Sequence, residues 1–525
     1  MTSHPIQPAG PSPVPDNNAP LPSLGALRTD TLSDSVMILM ALMVVQRAVG
    51  FGRAILFCRW LPAEELGQWD MAFGFLVLAG PVAVLALPGT FGRYVERYRQ
   101  RGQLRAFLRR ALLMCAAMAL TGAATVYCAQ SWFSQLIFGT PDRADMVVLL
   151  AVSLLAVVAS NFFTELFTAL RNVRFVAGVQ LANGLLFAAL GVGLLLLWRC
   201  QAGSVVVAYG GACLITSTIA CCWLWRSWGK LPEGPEPFAR RTLWSKVVPF
   251  AGWILTVNLL TNLFEIADRY MIVHYSSGPT GAGLALVGDY HSSRIVPLLL
   301  VSIAGMLSAM ITPHLSHDWE AGRRDRVAAR LNLFIKLLAF ALTAAGVAVT
   351  IVAPLLFDVA FQGKFAGGLA VLPWTLTYCT WFGIAMIVQT YLWCSEKAYL
   401  ASIALLIGLT VNVGLNLVLL PRMGLLGAVL ATTIANLVAL VLLIYFTRLL
   451  GFHLDRGAWV VLAAPLAACL GPAVASLLLL GIVLEAVNSD RLLSADEKRQ
   501  LAEGLGGYLE KFRHFRSARS ARGAI

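Results

Sequence analysis

The sequence predicts an all-α integral membrane protein of about 13 (12–14) transmembrane helices, arranged as two six-helix lobes related by a parallel repeat. Three observations carry that class. The 525-residue chain is 58% hydrophobic and 13% charged, with a mean hydropathy of +0.74, whereas a soluble domain carries roughly 25% charged residues. Apolar segments follow one another in series, each with about the 17–25 residues that a helix needs to cross hydrocarbon. Sequence markers then recur at an offset of 220–221 positions.

Residues 1–34 are rich in Pro, Ser and Asn, lack periodicity and carry no signal-peptide pattern, so they read as a disordered cytoplasmic tail. Segments 35–57, 70–90, 111–129, 146–170, 178–198 and 204–224 make a first lobe over 35–225. A basic stretch, 226–246, reads as a cytoplasmic linker. Segments 247–275, 289–313, 332–357, 366–393, 399–420 and 425–447 make a second lobe over 247–450. One further apolar segment, 458–486, is long for one span and short for two. With Gly471-Pro472 inside it, it reads either as a kinked span or as a re-entrant hairpin. The polar tail 487–525 alternates charges with Leu, Tyr and Phe over 494–515, the pattern of an amphipathic helix.

Orientation follows from the connections. With the N-terminus inside, the inward connections hold 22 Lys and Arg and the outward ones hold five. The net charge of +13 therefore reports cytoplasmic loops beside anionic lipid, not a nucleic-acid surface. The basic tail also prefers the inside, which a thirteenth full span would forbid. The ten cysteines lie in or beside apolar segments without CxxC spacing and read as packing residues.

The repeat is visible in three markers. Gly67-Gln-Trp-Asp70 aligns with Gly288-Asp-Tyr-His291, Gly102 with Gly322, and Gly203 with Gly424. A unit of six spans keeps both copies in one orientation, so the axis relating them runs along the membrane normal and a substrate path lies between them.

Charges within spans are costly, about 2.5–3.5 kcal/mol each on insertion scales, and so mark functional candidates. Glu265, Asp268 and Arg269 lie three to four residues apart in the seventh segment and share a helix face. They read as a cavity-facing cluster, or as a structural Glu265–Arg269 pair. Arg47, Arg53 and Arg294 are further in-span cations, and the planar guanidinium fork suits phosphate. Arg47 and Arg53 are six residues apart and point to different faces, with Arg53 either in the cavity or snorkelling. Glu165, a lone acid in the fourth segment, and Asp268 are candidates for coupling to protons or Na⁺. His314, His317 and Asp318 lack further ligands and read as a helix end, not a metal site. No cofactor motif, Walker motif, GxSxG or HExxH occurs.

Four stretches resemble the polysaccharide (O-antigen) flippase family of the multidrug/oligosaccharidyl-lipid/polysaccharide exporter superfamily. They are Arg59-Trp-Leu-Pro-Ala-Glu-Glu-Leu-Gly67, Ala267-Asp268-Arg269, Thr312-Pro313-His-Leu-Ser316, and Asn416-Leu-Val-Leu-Leu-Pro421-Arg-Met-Gly424-Leu-Leu-Gly427-Ala. The resemblance covers residues 35–450. It implies a twelve-helix core with extra C-terminal helices, and alternating access. The implied substrate is a polyprenyl-diphosphate-linked oligosaccharide, carried across the cytoplasmic membrane for polysaccharide or lipopolysaccharide export. The expected partners are that lipid-linked substrate, membrane lipids, and a polysaccharide polymerase or glycosyltransferases. Many relatives have fourteen spans, so the C-terminus departs from the pattern. Two alternatives share the fold: a proton- or sodium-coupled drug exporter and a peptidoglycan-precursor exporter. A membrane polymerase or ligase is disfavoured, because the outward loops are too short to hold a catalytic domain.

Overall fold

The computed structural model describes residues 32–232, 243–276, 281–499 and 501. Among these residues every regular element is helical. The first lobe holds α1 (Leu32–Trp60), α2 (Ala63–Ala83), α3 (Phe91–Gln100), α4 (Leu104–Cys128), α5 (Gln130–Phe138), α6 (Ala144–Ala169), α7 (Val173–Leu197) and α8 (Ala202–Ser227). The second holds α9 (Val248–Tyr275), α10 (Ala282–Glu320), α11 (Arg324–Leu355), α12 (Ala366–Cys394), α13 (Ala398–Met423) and α14 (Leu425–Leu449). Eleven described helices are long and apolar enough to cross a membrane: α2, α4 and α6 to α14. With the 29-residue α1 they make the twelve-helix pattern. Hydrocarbon offers no partner for backbone N–H and C=O groups, so each span must satisfy them internally, and helices result.

The N-x-x-L-x-P-x-x-G-x-x-G-A stretch is a tight corner between α13 and α14. Gly424 adopts φ +56 and ψ −137, open only to glycine, and lets the chain reverse. A Cβ at Gly427 would strike the Leu419 carbonyl group, so a side chain there would pry the two helices apart.

The repeat also appears as contact between the lobes. A Cβ at Gly67 would fall on the Leu284 carbonyl, and one at Gly288 on the Ala63 carbonyl. Gly67 and Gly288 are 221 positions apart, as are Ala63 and Leu284, so α2 and α10 cross in a reciprocal, two-fold manner. On this axis Asp70 meets its own repeat mate: His291 Nδ1 lies 2.9 Å from Asp70 Oδ1.

All these contacts lie in the half of the bundle away from the basic connections. There Lys364 Nζ also donates to the Arg59 carbonyl at 2.5 Å. His274 Nε2 meets the Leu136 carbonyl at 2.8 Å, again across the lobes. That end is shut.

The expected thirteenth span is two short helices. Residues Arg456–Leu470 and α16 (Pro472–Asn488) are both shorter than the eleven long apolar helices; the first opens with α15 (Arg456–Ala463). They meet at Gly471, φ +104. Lys336 on α11 fixes their course. Its ammonium donates to Asp455, just before the pair, at 3.0 Å, and to Glu497, just after it, at 2.9 Å. Gly457 packs on the backbone of Leu492. The segment therefore enters and leaves at one end of the bundle, the basic end, as a helical hairpin. The basic residues Arg491 and Lys498 stay with the other basic connections, and the conflict over the tail disappears. The rest of the expected amphipathic helix over 494–515, the tail before residue 32 and residues 233–242 of the inter-lobe linker lie outside the described residues.

Candidate functional site

A cavity of about 1000 Å³ opens in the basic half of the second lobe. Helical spacing builds its walls: Trp253, Val257, Thr261 and Glu265 recur every four residues on α9. Ser302, Met306 and Met310 from α10, Gln389 from α12 and Asn436 from α14 face them. The first lobe contributes Met43 and Arg47 from α1. The cavity is mostly apolar; Arg47, Glu265, His314, Gln389 and Asn436 bring its ionisable and amide groups, and Thr261, Ser302 and Ser402 bring hydroxyls.

Beyond the cavity, toward the shut end, lies a buried charged layer. Arg269 Nε is 3.2 Å from Asp70 Oδ2, an ion pair that joins α9 of one lobe to α2 of the other. Asp70 accepts His291 on its second oxygen. Arg294 is 6% exposed, with its guanidinium carbon 5.0 Å from the Tyr290 ring centroid, and its Nε has no acceptor. Among the described residues no ion pair or hydrogen bond reaches Arg294. The layer thus sets two guanidiniums and an imidazole against one inter-lobe carboxylate.

Asp268 belongs to a different environment. Its carboxylate points into the second lobe and accepts from Asn412 at 2.8 Å, Asn416 at 3.0 Å, Thr432 at 2.6 Å and Tyr290 at 3.1 Å. It is 1% exposed. Four neutral donors from α10, α13 and α14 hold this carboxylate, which has no ion-pair partner among the described residues. Asn416 Oδ1 is buried without a donor, which leaves a spare oxygen next to that charge.

The seven sequence candidates separate accordingly. Arg47 and Glu265 line the cavity. Arg269 and Arg294 sit in the charged layer. Among the described residues no Glu265–Arg269 pair forms; Arg269 reaches Asp70 instead. Arg53 faces away from the cavity, over the Phe187 ring at 3.9 Å, within the first lobe. Phe187 lies on α7 and packs edge-on against Tyr209 of α8; α7 and α8 are the repeat mates of α13 and α14, which hold Asp268. The two lobes therefore hold charges of opposite sign against the same pair of helices. Glu165 is exposed on α6. Its repeat mate at offset 221, Met386, lines the cavity, so Glu165 occupies the matching wall of the first lobe. Asp70 is the residue that sequence reading missed. Its signal was present as the aligned pair Asp70 and His291, an acid and a base at one repeat position.

The model of a family described as polysaccharide biosynthesis protein matches residues 32–319. A second, described as lipid II flippase MurJ, matches residues 282–493. No curated protein matches the chain. Among solved structures, lipid II flippase MurJ in an inward closed conformation gives a TM-score of 0.67 at 13% identity, covering 85% of this chain and 98% of that one. A multidrug resistance MATE family transporter of the MOP superfamily in an inward-facing conformation gives 0.58 at 12% identity, covering 79% and 97%. An outward-facing one gives 0.56 at 14%, covering 81% and 96%. At these identities the likeness is one of fold.

Proposed function

This chain belongs to the polysaccharide biosynthesis protein family, and from that membership we propose that it flips a polyprenyl-diphosphate-linked oligosaccharide across the cytoplasmic membrane by alternating access. The product serves polysaccharide or lipopolysaccharide export. The observation that carries the reading is the cation gradient along one path: Arg47 in the cavity wall, then Arg269 and unpaired Arg294 at its closed end. A diphosphate entering from the basic, cytoplasmic end meets guanidiniums of increasing burial, where charge-assisted contacts gain strength. Glu265, Gln389 and Asn436 offer hydrogen bonds to sugar hydroxyls. The shut opposite end makes this an inward-facing state, and rocking of the lobes about the α2–α10 crossing would expose the same cavity outward.

Asp268 is the ion-coupling candidate of this reading, with Glu165 as the second. A buried carboxylate surrounded by amide and hydroxyl groups suits a proton or a small monovalent cation, since Asn412 and Asn416 can present oxygens as well as N–H groups. The lipid II flippase match over 282–493 favours a second reading of the substrate, a peptidoglycan precursor, whose polyprenyl diphosphate would use the same arginines.

The test is leaflet transfer in liposomes. Wild type moves a fluorescent polyprenyl-diphosphate oligosaccharide to the opposite leaflet, and Arg47→Ala and Arg294→Gln lose most of that transfer while remaining folded. Wild-type transfer that is equally fast for a polyprenol without phosphate rejects the diphosphate reading. Competition between lipid II and an export oligosaccharide separates the two substrates.

A further inference from the structure

We propose that Asp70 is an internal stand-in for the substrate's phosphate: it occupies Arg269 until a diphosphate displaces it, and that displacement unlocks the shut end. The inference rests on the diphosphate reading given above and adds to it the identity of the lock and of its key.

Arg269 is one helical turn beyond Glu265 on α9, roughly 6 Å along the axis. Arg294 is seven residues before Val301 on α10, two turns or roughly 10 Å along the same face. Glu265 and Val301 both line the cavity, so the charged layer begins where the cavity stops. Gly74 leaves α2 without a side chain beside this point; a Cβ there would lie 3.4 Å from Arg269 Nη1.

Asp70 is the only carboxylate within salt-bridge distance of this layer among the described residues, and it comes from the opposite lobe. Asp268, next in sequence to Arg269, spends its oxygens on Asn412, Asn416, Thr432 and Tyr290. Among the described residues Arg294 is thus left without an ion-pair partner of its own, and its Nε without an acceptor. A diphosphate brings more charge than one carboxylate and has acceptors for both arginines at once. Once it holds Arg269, Asp70 keeps His291 alone. The α2–α9 ion pair between the lobes is then lost, and the α2–α10 crossing keeps only Asp70–His291 and the packing of Gly67 on Leu284 and of Gly288 on Ala63. Substrate binding and release of the outer lock thus share one guanidinium, which is the differential contact that a ligand needs to shift a two-state equilibrium.

The experiment uses the full-length protein in lipid nanodiscs with farnesyl diphosphate as probe and farnesol as its phosphate-free control. Two readouts are taken: binding affinity, and hydrogen–deuterium exchange in peptides from the start of α2 and of α10. In wild type, farnesyl diphosphate raises exchange in both peptides and farnesol does not. Asp70→Asn exchanges fast without ligand and binds farnesyl diphosphate at least about tenfold more tightly, because the competing anion is gone. Asp70→Glu keeps the charge and stays within a few-fold of wild type. His291→Gln, which loosens Asp70 and spares both arginines, is the second variant and tightens binding in smaller measure. Unchanged or weaker affinity in Asp70→Asn and His291→Gln overturns the inference while the diphosphate site stands. Wild type that binds farnesyl diphosphate no better than farnesol overturns both.

Discussion

Gly67→Ala and Gly288→Ala should each open the shut end, and by similar amounts. The added Cβ at Gly67 would lie 2.8 Å from the Leu284 carbonyl carbon, and that at Gly288 2.7 Å from the Ala63 carbonyl carbon. Relaxed carbon contacts are about 3.5–4.0 Å, so α2 and α10 must separate by roughly 1 Å in either variant. Overpacking of this kind costs about 1–3 kcal/mol. Here the cost falls on one conformation, because the contact exists only while the lobes meet at this end. A bias of that size changes the ratio of the two states by roughly 5–150-fold. The assay is reaction of an impermeant thiol reagent with a cysteine introduced at Leu284, in single-glycine variants and in the parent. Both variants should label faster than the parent, with unfolding temperatures close to it. Labelling that rises in one variant only would refute the two-fold reading of the crossing. Labelling unchanged in both would refute the claim that these glycines hold the end shut.

Three further outcomes follow from the same geometry. Asp268→Asn leaves two of four donors without an acceptor; hydrogen bonds to a charged group contribute about 1.5–3 kcal/mol each, so a loss of roughly 3–6 kcal/mol is expected in chemical unfolding. In transport it should also abolish any dependence on a proton or sodium gradient, which a merely structural residue would not do. Lys336→Met strands Glu497, 12% exposed on its side chain, beside Asp455. Breaking a buried pair in this way costs about 3–5 kcal/mol, less here because Asp455 is half exposed, and limited trypsin digestion should then cut at Arg491 and Lys498. Arg53→Leu should leave diphosphate affinity unchanged in a binding titration, because its guanidinium lies over Phe187, away from the cavity.

The class of fold was legible because hydrocarbon tolerates so few backbone solutions, and the lobes were legible through glycines that mark helix crossings and corners. The site was legible in part. Glu265, Asp268 and Arg269 stand together in sequence, but 100° of rotation per residue sends them to three environments: the cavity, the lobe interior and the opposite lobe. Three of the four donors to Asp268 lie 144 to 164 residues downstream on α13 and α14, and no local pattern announces them. Asp70 stands in the second turn of α2, where an acid reads as interfacial until its partner on another lobe is known. Segment 458–486 has the composition of a span and of a hairpin alike. Lys336, gripping both of its ends, and Gly457, packed on Leu492, show that those ends lie together.

The crossing of α2 and α10 also says something about how such a chain could have arisen. In a dimer of identical halves, a residue on the two-fold axis faces a copy of itself. Aspartate would face aspartate there, and histidine would face histidine; neither arrangement makes an ion pair, and the first repels. The Asp70–His291 contact is therefore available only after the halves are joined in one polypeptide and each can vary alone. Fusion did more than fix the number of subunits. It let the symmetric seam carry an asymmetric bond, with the acid on one side and the bases on the other, so that a single anionic cargo has one correct side to grip.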